Sequence, residues 1–522
     1  MDERFLTAPN WRRIGVHHHH GICLPLWALH SSRSGGIGEY LDLIPLIEWL
    51  PSTGFDTIQL LPITDSGDDP SPYMGVSAHA LHPIYLSLHA LPGIGSIPGI
   101  HEKLDALTHL CKTERLQYHH VLKQKRELID LYLDHFLPDI EATAGYQQFI
   151  RENSSWLTPY SIFKTLKEAH DGKAWWDWKT HAPDSEFFCH ADTHLAIQVM
   201  RWRAIQYLCF QQMRAVKSAA DKHGVLLVGD VPILINKDSA DVWWQPDLFC
   251  THSSVGAPPD MYNAEGQHWG FPRYSWSHHR KTHFAWWKER LHLQESLFHM
   301  FRLDHLVGFF RFWMIPTGKK AYHGYFIPET PAEWKRLGEE VLTTLIGSTT
   351  MLPLGEDLGD VPDLVRESMR VMGIPGLKVL RWERRWKTDR SFIAPSTFSP
   401  ESVSTLSTHD SSTLAGWYEE APEEAKEAAH AYNIPWSQKL TPPLAYEWLK
   451  VCHSSGSLFH INLFNEYLSL FPELSWNDPA LERINIPGTC SADNWTYQYR
   501  KPLETLLSHP GLHKGLTQLD KI

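Results

Sequence analysis

The chain has 522 residues, 43% of them hydrophobic, and a mean hydropathy of -0.32, which suits one large core or two to three domains and excludes a disordered class. Its net charge of -12 and pI near 6.3, with no Lys/Arg run, exclude a nucleic-acid surface and point to neutral partners. No apolar stretch approaches about 18 residues and no apolar segment follows Arg12-Arg13, so neither a membrane span nor a leader is expected and the location is read as cytoplasmic. The seven cysteines are odd in number, scattered and free of C-x-x-C spacing, which argues for small core residues over a disulfide framework or a zinc site. Trp (23), Tyr (18) and Phe (22) are abundant. Flat rings with a polar edge suit sugar faces and protein cores equally, so they name no substrate.

In chain order, His17 to His20 precede the apolar stretch 21–26, read as a first strand. Four adjacent histidines can bind a metal, but alternate side chains of a strand face opposite ways, so a single site is not expected. Gly35-Gly36-Ile37-Gly38 opens a helix over 41–50 and is followed by a strand over 55–62; without the rest of the dinucleotide pattern the glycines read as a loop. The turn-rich stretch 65–73 ends on Tyr73, a candidate binding residue. Strand signals then fade, and 92–192 reads as a helical, Trp-containing insertion. A helix over 195–221 leads to an apolar strand over 224–232 that carries Asp230 near its end. The Pro-, Gly- and aromatic-rich stretch 250–275, with Asp260 and Tyr262, reads as a shaped lid loop.

A helix over 280–297 feeds Phe301-Arg302-Leu303-Asp304-His305-Leu306-Val307-Gly308. Read as a buried strand, it projects Arg302 and Asp304 to one face, and the guanidinium would hold Asp304 ionised, as a carboxylate nucleophile requires. A purely structural ion pair is the alternative. A helix over 331–346 precedes Leu352-Pro353-Leu354-Gly355-Glu356-Asp357; a helix over 361–372 precedes a strand over 376–382, and 402–410 ends on His409-Asp410. This alternation predicts a (β/α)8 TIM barrel with large, mainly helical insertions, as a single catalytic domain over 1–522. A doubly wound sheet is the alternative, but its phosphate-binding fingerprint is absent.

Asp230, Asp304, Glu356 and Asp410 thus sit at strand ends, 74, 52 and 54 positions apart, and a parallel barrel brings such ends to one face. A carboxylate beside an arginine, with a second able to hold a proton, is what a retaining glycosidase mechanism needs. A binuclear metal site is disfavoured by the arginine and by the lack of H-x-H or His–Asp sets at the strand ends.

The chain resembles the 4-alpha-glucanotransferases of the amylomaltase (disproportionating enzyme, MalQ-like) family in the alpha-amylase clan, over about residues 14 to 500. The resemblance rests on Leu61-Pro62 with Ser71-Pro72-Tyr73, Gly229-Asp230-Val231-Pro232, Asp238-Ser239-Ala240-Asp241-Val242-Trp243, Arg302 to His305, Gly355 to Gly359, Pro375-Gly376-Leu377-Lys378-Val379-Leu380, Thr408-His409-Asp410 and Asn494-Trp495, in that order. It implies Asp304 as nucleophile, Glu356 as general acid/base and Asp410 as the carboxylate that binds sugar hydroxyls. It further implies that Arg302 positions Asp304, that His409 and Asp230 hold the glucose ring, that Asp260, with Tyr262 as a shifted candidate, lies over the acceptor side, and that Tyr73 lines a more distant glucan surface. Glu39 stands where the family usually has Asp, His82 where it has Asn, Met261 at an often aromatic place, and Ser411-Ser412 where Asn-Asp is usual. The implied partners are alpha-1,4-glucans and glucose, with no cofactor or metal, and the implied carboxyl separation is about 5–5.5 Å. A hydrolytic, amylase-like enzyme and a non-catalytic glucan-binding protein are the rival readings.

Overall fold

The computed structural model describes residues 2–178, 193–259 and 264–522. Numbering the strands in chain order, β1 (His19–Leu24), β2 (Thr57–Leu60), β3 (Leu226–Val231), β6 (Met300–Leu303), β9 (Leu352–Gly355), β10 (Gly376–Val379), β11 (Ser402–Thr405) and β12 (Phe459–Leu463) form a closed parallel barrel. β12 returns to β1, pairing Phe459 with His19. Between the barrel strands β3 and β9, β4 (Phe249–Ala257), β5 (Gln267–Tyr274), β7 (Phe312–Pro316) and β8 (Tyr325–Ile327) make a separate antiparallel sheet in the order β5-β4-β7-β8.

The expected barrel is therefore the observed one, and its strands are buried on both faces, as parallel strands under helices must be. β11 shows how a polar run meets that demand. Ser404 and Thr405 bury their hydroxyls but donate them to Cys452 O at 2.9 Å and Ser407 O at 2.9 Å, which offsets the desolvation. The sequence reading lacked one strand. β12, Phe-His-Ile-Asn-Leu, alternates apolar and polar in a short run, and its polar members are buried because they face partners from distant parts of the chain.

The insertion between β2 and β3 is helical over Ile100–Thr108, Tyr118–Glu141 and Ala144–Ala169, and the helix Thr193–His223 returns the chain to β3. Two buried glutamines on that last helix dock the loop after β2. Gln206 exchanges amide hydrogen bonds with Leu81 at 2.9 and 2.8 Å, and Gln212 with Ser87 at 2.8 and 2.9 Å. Trp202 lies between Arg126 (4.0 Å) and Lys164 (4.6 Å), joining three of the helices through cation–π contact.

Two expectations are corrected. The single helix over 280–297 is two helices, Trp276–Lys281 and Ala285–Glu295, because His283 and Phe284 take left-handed backbone (φ 51° and 59°) that folds the Phe284 ring onto Trp276 and His279. The stretch 250–275 is a β-hairpin, β4 and β5, and not a plain loop. Gly256 permits it, since a side chain there would begin 2.0 Å from the Gln267 carbonyl. Asp260, Met261 and Tyr262 lie outside the described residues. Of the cysteines, Cys23, Cys111, Cys209 and Cys452 are buried as expected, Cys250 is half-buried, Cys490 is exposed, and Cys189 lies outside the described residues.

Candidate active site

The C-terminal mouth of the barrel is built around Arg302. The register sets Arg302 on β6 beside Asp230 on β3 and beside Leu354 on β9, two residues before Glu356. Its Nη1 donates to both Asp230 oxygens (2.9 and 2.7 Å) and to Asp304 Oδ1 (3.1 Å), while Nη2 donates to Glu356 Oε2 (2.7 Å). One buried cation thus holds three carboxylates. Their charges push the Arg302 pKa well above its ordinary value against the opposing effect of burial.

Asp304 sits one residue past the end of β6, and His305 after it adopts left-handed backbone (φ 44°). That turn aims the His305 N–H at Glu356 Oε2, 2.9 Å away. Strained backbone of this kind persists where the surroundings hold it, here by an edge-on contact of the His305 ring with Trp269 of β5 (5.1 Å) and by burial of the ring, which also lowers its pKa.

Asp304 and Glu356 are both held by Arg302, and each feels the other's charge. Burial pushes the Asp304 carboxyl well above its usual range, and the adjacent Glu356 and Asp230 charges add to the rise that Arg302 opposes. Glu356 is also desolvated but is held below its usual range by Arg302 and by His305. The two shifts run in opposite directions, so of the pair it is the charged form of Asp304 that its surroundings oppose. This corrects the expectation that Arg302 alone would keep Asp304 ionised: most of its donors go to Asp230 and Glu356.

Two further residues differ from expectation. Asp230 has a fully buried side chain, consumed by Arg302 and by the Tyr73 hydroxyl, which donates to Oδ2 at 2.8 Å. It braces the arginine and offers no surface to a sugar ring. Tyr73, expected on a distant surface, is central. Its hydroxyl is 3.4 Å from Arg302 Nη1, and its ring stacks on His409 (5.4 Å) and leans on Trp495 (5.6 Å). Burial, reinforced by Asp230, raises the Tyr73 pKa well above its usual value, so the phenol stays a donor.

Asp410 follows β11 and is half open to solvent, with Oδ1 accepting from Asn485 Nδ2 at 2.7 Å and Oδ2 3.5 Å from His409 Nε2. Sequence reasoning missed Asn485, and read Trp269 only as part of the lid stretch 250–275 without a role at the site. Nothing local marks Asn485; only the fold brings it in.

Of the departures from the family pattern, Glu39, His82 and Ser412 lie in the packing behind the site. Glu39 pairs with Lys125, fully enclosed, at 2.5 Å. His82 accepts from Ile84 N at Nδ1 (3.2 Å) and meets Tyr118 Oη at Nε2 (2.8 Å), so it serves as a neutral linker, its pKa lowered by burial to about 4. Ser412 Oγ takes both terminal nitrogens of the buried Arg381 at 3.0 Å.

An eight-stranded parallel barrel whose C-terminal mouth gathers acids from several strands is the build of a barrel enzyme working with carboxylates. Among the described residues no helix is long and apolar enough to cross a membrane. The chain belongs to glycoside hydrolase family 77, whose model, described as 4-alpha-glucanotransferase, matches residues 24–504. Proteins named 4-alpha-glucanotransferase from Chlamydia pneumoniae and Chlamydia caviae are 43% and 40% identical, covering 96% and 98% of this chain and 95% and 96% of theirs. The amylomaltase from Streptococcus agalactiae, solved with acarbose, shares the fold with a TM-score of 0.82 at 24% identity, over 96% of this chain and 98% of its own. That from Corynebacterium glutamicum does so with 0.82 at 18%, over 98% and 76%. The activity is accordingly that of a 4-alpha-glucanotransferase, a glycosyl-transferring enzyme of glucan metabolism.

Proposed function

We propose that this enzyme moves a segment of a 1,4-alpha-glucan to the 4-hydroxyl of glucose or another glucan by double displacement, with Asp304 as nucleophile and Glu356 as acid/base. The observation that supports it is the single guanidinium of Arg302 in contact with both carboxylates at the barrel mouth. Glu356 protonates the glycosidic oxygen while Asp304 attacks the anomeric carbon, forming a covalent β-glucosyl-enzyme and releasing the reducing-end piece. The acceptor hydroxyl, deprotonated by Glu356, then attacks, and two inversions retain the configuration.

With the sugar bound, Glu356 is the carboxyl that holds the proton. Glu356 Oε2 already accepts from Arg302 and from the His305 N–H, so Oε1 is the oxygen left to carry it. Positive charge growing at the anomeric carbon favours the ionised form of Asp304, which reverses the resting preference. Asp410, with His409 beside it, binds the hydroxyls of the ring being cleaved, and Tyr73 with Trp495 gives that ring its apolar floor. Asp230 acts through Arg302. The β4–β5 hairpin covers the acceptor side and excludes water, with Asp260 and Tyr262 as the residues that meet the acceptor, which favours transfer over hydrolysis.

In this reading residues 1–522 form one catalytic domain, the chemistry needs no cofactor, and the partners are maltodextrins, glycogen-derived chains and glucose. All six described cysteines are free thiols, four of them buried, which supports a cytoplasmic setting.

The test is the product ladder from maltotriose alone, read with a reducing-end assay. Longer and shorter maltodextrins at constant reducing ends are expected. Asp304→Asn is expected to lose transfer about ten-thousandfold, and Glu356→Gln about a hundred- to ten-thousandfold. Substantial transfer by the Asp304 variant would refute the nucleophile assignment.

A further inference from the structure

The four-histidine run lies at the opposite end of the barrel from this chemistry. His19 and His20 open β1, and Asp56 immediately precedes β2. Strand alternation, which argues against a single site, deals the run into two pairs. His18 and His20 turn to His460 (3.0 Å) and His453 (2.7 Å). His17 and His19 turn to Asp56, whose Oδ2 is 3.8 Å from His17 Nε2 and 2.7 Å from His19 Nδ1. One ligand atom from each of His17, His19 and Asp56 falls within 4.8 Å of the others.

The surroundings fix the orientation of these groups. His19 Nε2 faces the Gly15 carbonyl at 3.3 Å, and a carbonyl can only accept, so that nitrogen carries the hydrogen. Nδ1 then presents a lone pair to a carboxylate oxygen 2.7 Å away. Two acceptors so close require a cation between them, either a proton or a metal. The second Asp56 oxygen accepts from the Thr57 hydroxyl at 2.9 Å, and the ring nitrogen turned to a backbone carbonyl is the outer support that metal-bound histidines commonly have. Gly15 completes the cradle. Its φ is +105°, and a side chain there would begin 2.6 Å from the His17 ring.

We propose that His17, His19 and Asp56 form a site for a divalent transition cation, with Zn²⁺ the best match to two imidazoles and one carboxylate in a tetrahedral set completed by water. Short adjustments bring the three ligand atoms to the spacing such an ion needs. His19 is buried (1% exposed), Asp56 is half-buried and His17 is open (63%), so the ion enters from solvent through His17. Set where β1 and β2 begin, it ties the segment before β1 to the floor of the barrel, a stabilising role far from the catalytic mouth.

The test uses the full chain, stripped with chelator and titrated with Zn²⁺ by calorimetry at about pH 7.5. Wild type, His17→Ala and His18→Ala are compared, each with its thermal midpoint with and without Zn²⁺. The expected result is a Zn²⁺ site in wild type and in His18→Ala that raises the midpoint. His17→Ala should weaken that site about tenfold or more and abolish the rise, while its midpoint in chelator matches wild type. No binding would mean a bare His19–Asp56 ion pair, and equal loss in both variants would mean chance chelation by the exposed histidines; either overturns the proposal, as does undiminished binding in His17→Ala.

Discussion

Arg302 and Asp230 are joined through one nitrogen, Nη1, which lies 2.9 and 2.7 Å from the two oxygens of a carboxylate with no exposed surface. Asp230 thereby adds negative charge next to Asp304 and raises its affinity for protons. Asp230→Asn keeps the shape and removes that charge. The expected outcome is a lower kcat together with a basic limb of the kcat/KM profile shifted toward lower pH, since the Asp304–Glu356 pair then releases its proton more readily. A fall in kcat with an unmoved profile would show that Asp230 only braces the arginine.

Behind the site, Lys125 and Glu39 form an ion pair in which both residues are almost wholly enclosed (0% and 2% exposed). Lys125 Nζ also donates to the Ile84 carbonyl at 2.7 Å, so its removal strands two acceptors. Lys125→Met should cost about 3–5 kcal/mol of stability, the penalty for leaving one buried partner unpaired. Replacing both residues by apolar ones of similar volume should cost much less. Chemical denaturation of the two variants checks the difference.

Acid should destabilise the protein through its buried imidazoles. Burial lowers His20, His82 and His279 to about 4 and His460 to about 3, from an unfolded value near 6.5. Between pH 6.5 and about 4 the unfolded chain takes up protons that the native one refuses, so stability falls as pH falls. Asp42 and Glu482, raised to about 7, act in the opposite sense, since the native state keeps their protons while the unfolded one releases them. Four histidines outweigh two acids. Thermal midpoints at pH 7 and pH 5 test this, and His82→Asn, the residue usual in the family, should narrow the difference.

Arg381 is buried and meets only the hydroxyl and carbonyl of Ser412 as hydrogen-bond partners, its Nε being without one among the described residues. Burial lowers it to about 10, opposed most by the charge of Glu466. Ser412→Asp restores the acid usual in the family at this place and sets an anion against the guanidinium. It should raise stability by on the order of 1 kcal/mol, the scale of a hydrogen bond to a charged group. A lowered thermal midpoint would mean that the extra carboxylate is overpacked.

The alternation of apolar runs with amphipathic segments was enough to determine the barrel, seven of its eight strands, and the strand ends bearing Asp230, Asp304, Glu356 and Asp410. Those signals are local: a period of two in strands, a period of 3.6 in helices, and an acid where an apolar run stops. Even the parting of His17 and His19 from His18 and His20 was implicit in that alternation. Their partners were not. Only barrel closure decided that Arg302 would divide its donors among three acids, that Tyr73 would stand beside it, that Asp230 would be sealed away from substrate, and that Asn485 would reach Asp410. The physical reason is the same in each case. Desolvation and the sharing of charge depend on neighbours 50 or more positions away, and no pattern within one segment records which of them will arrive.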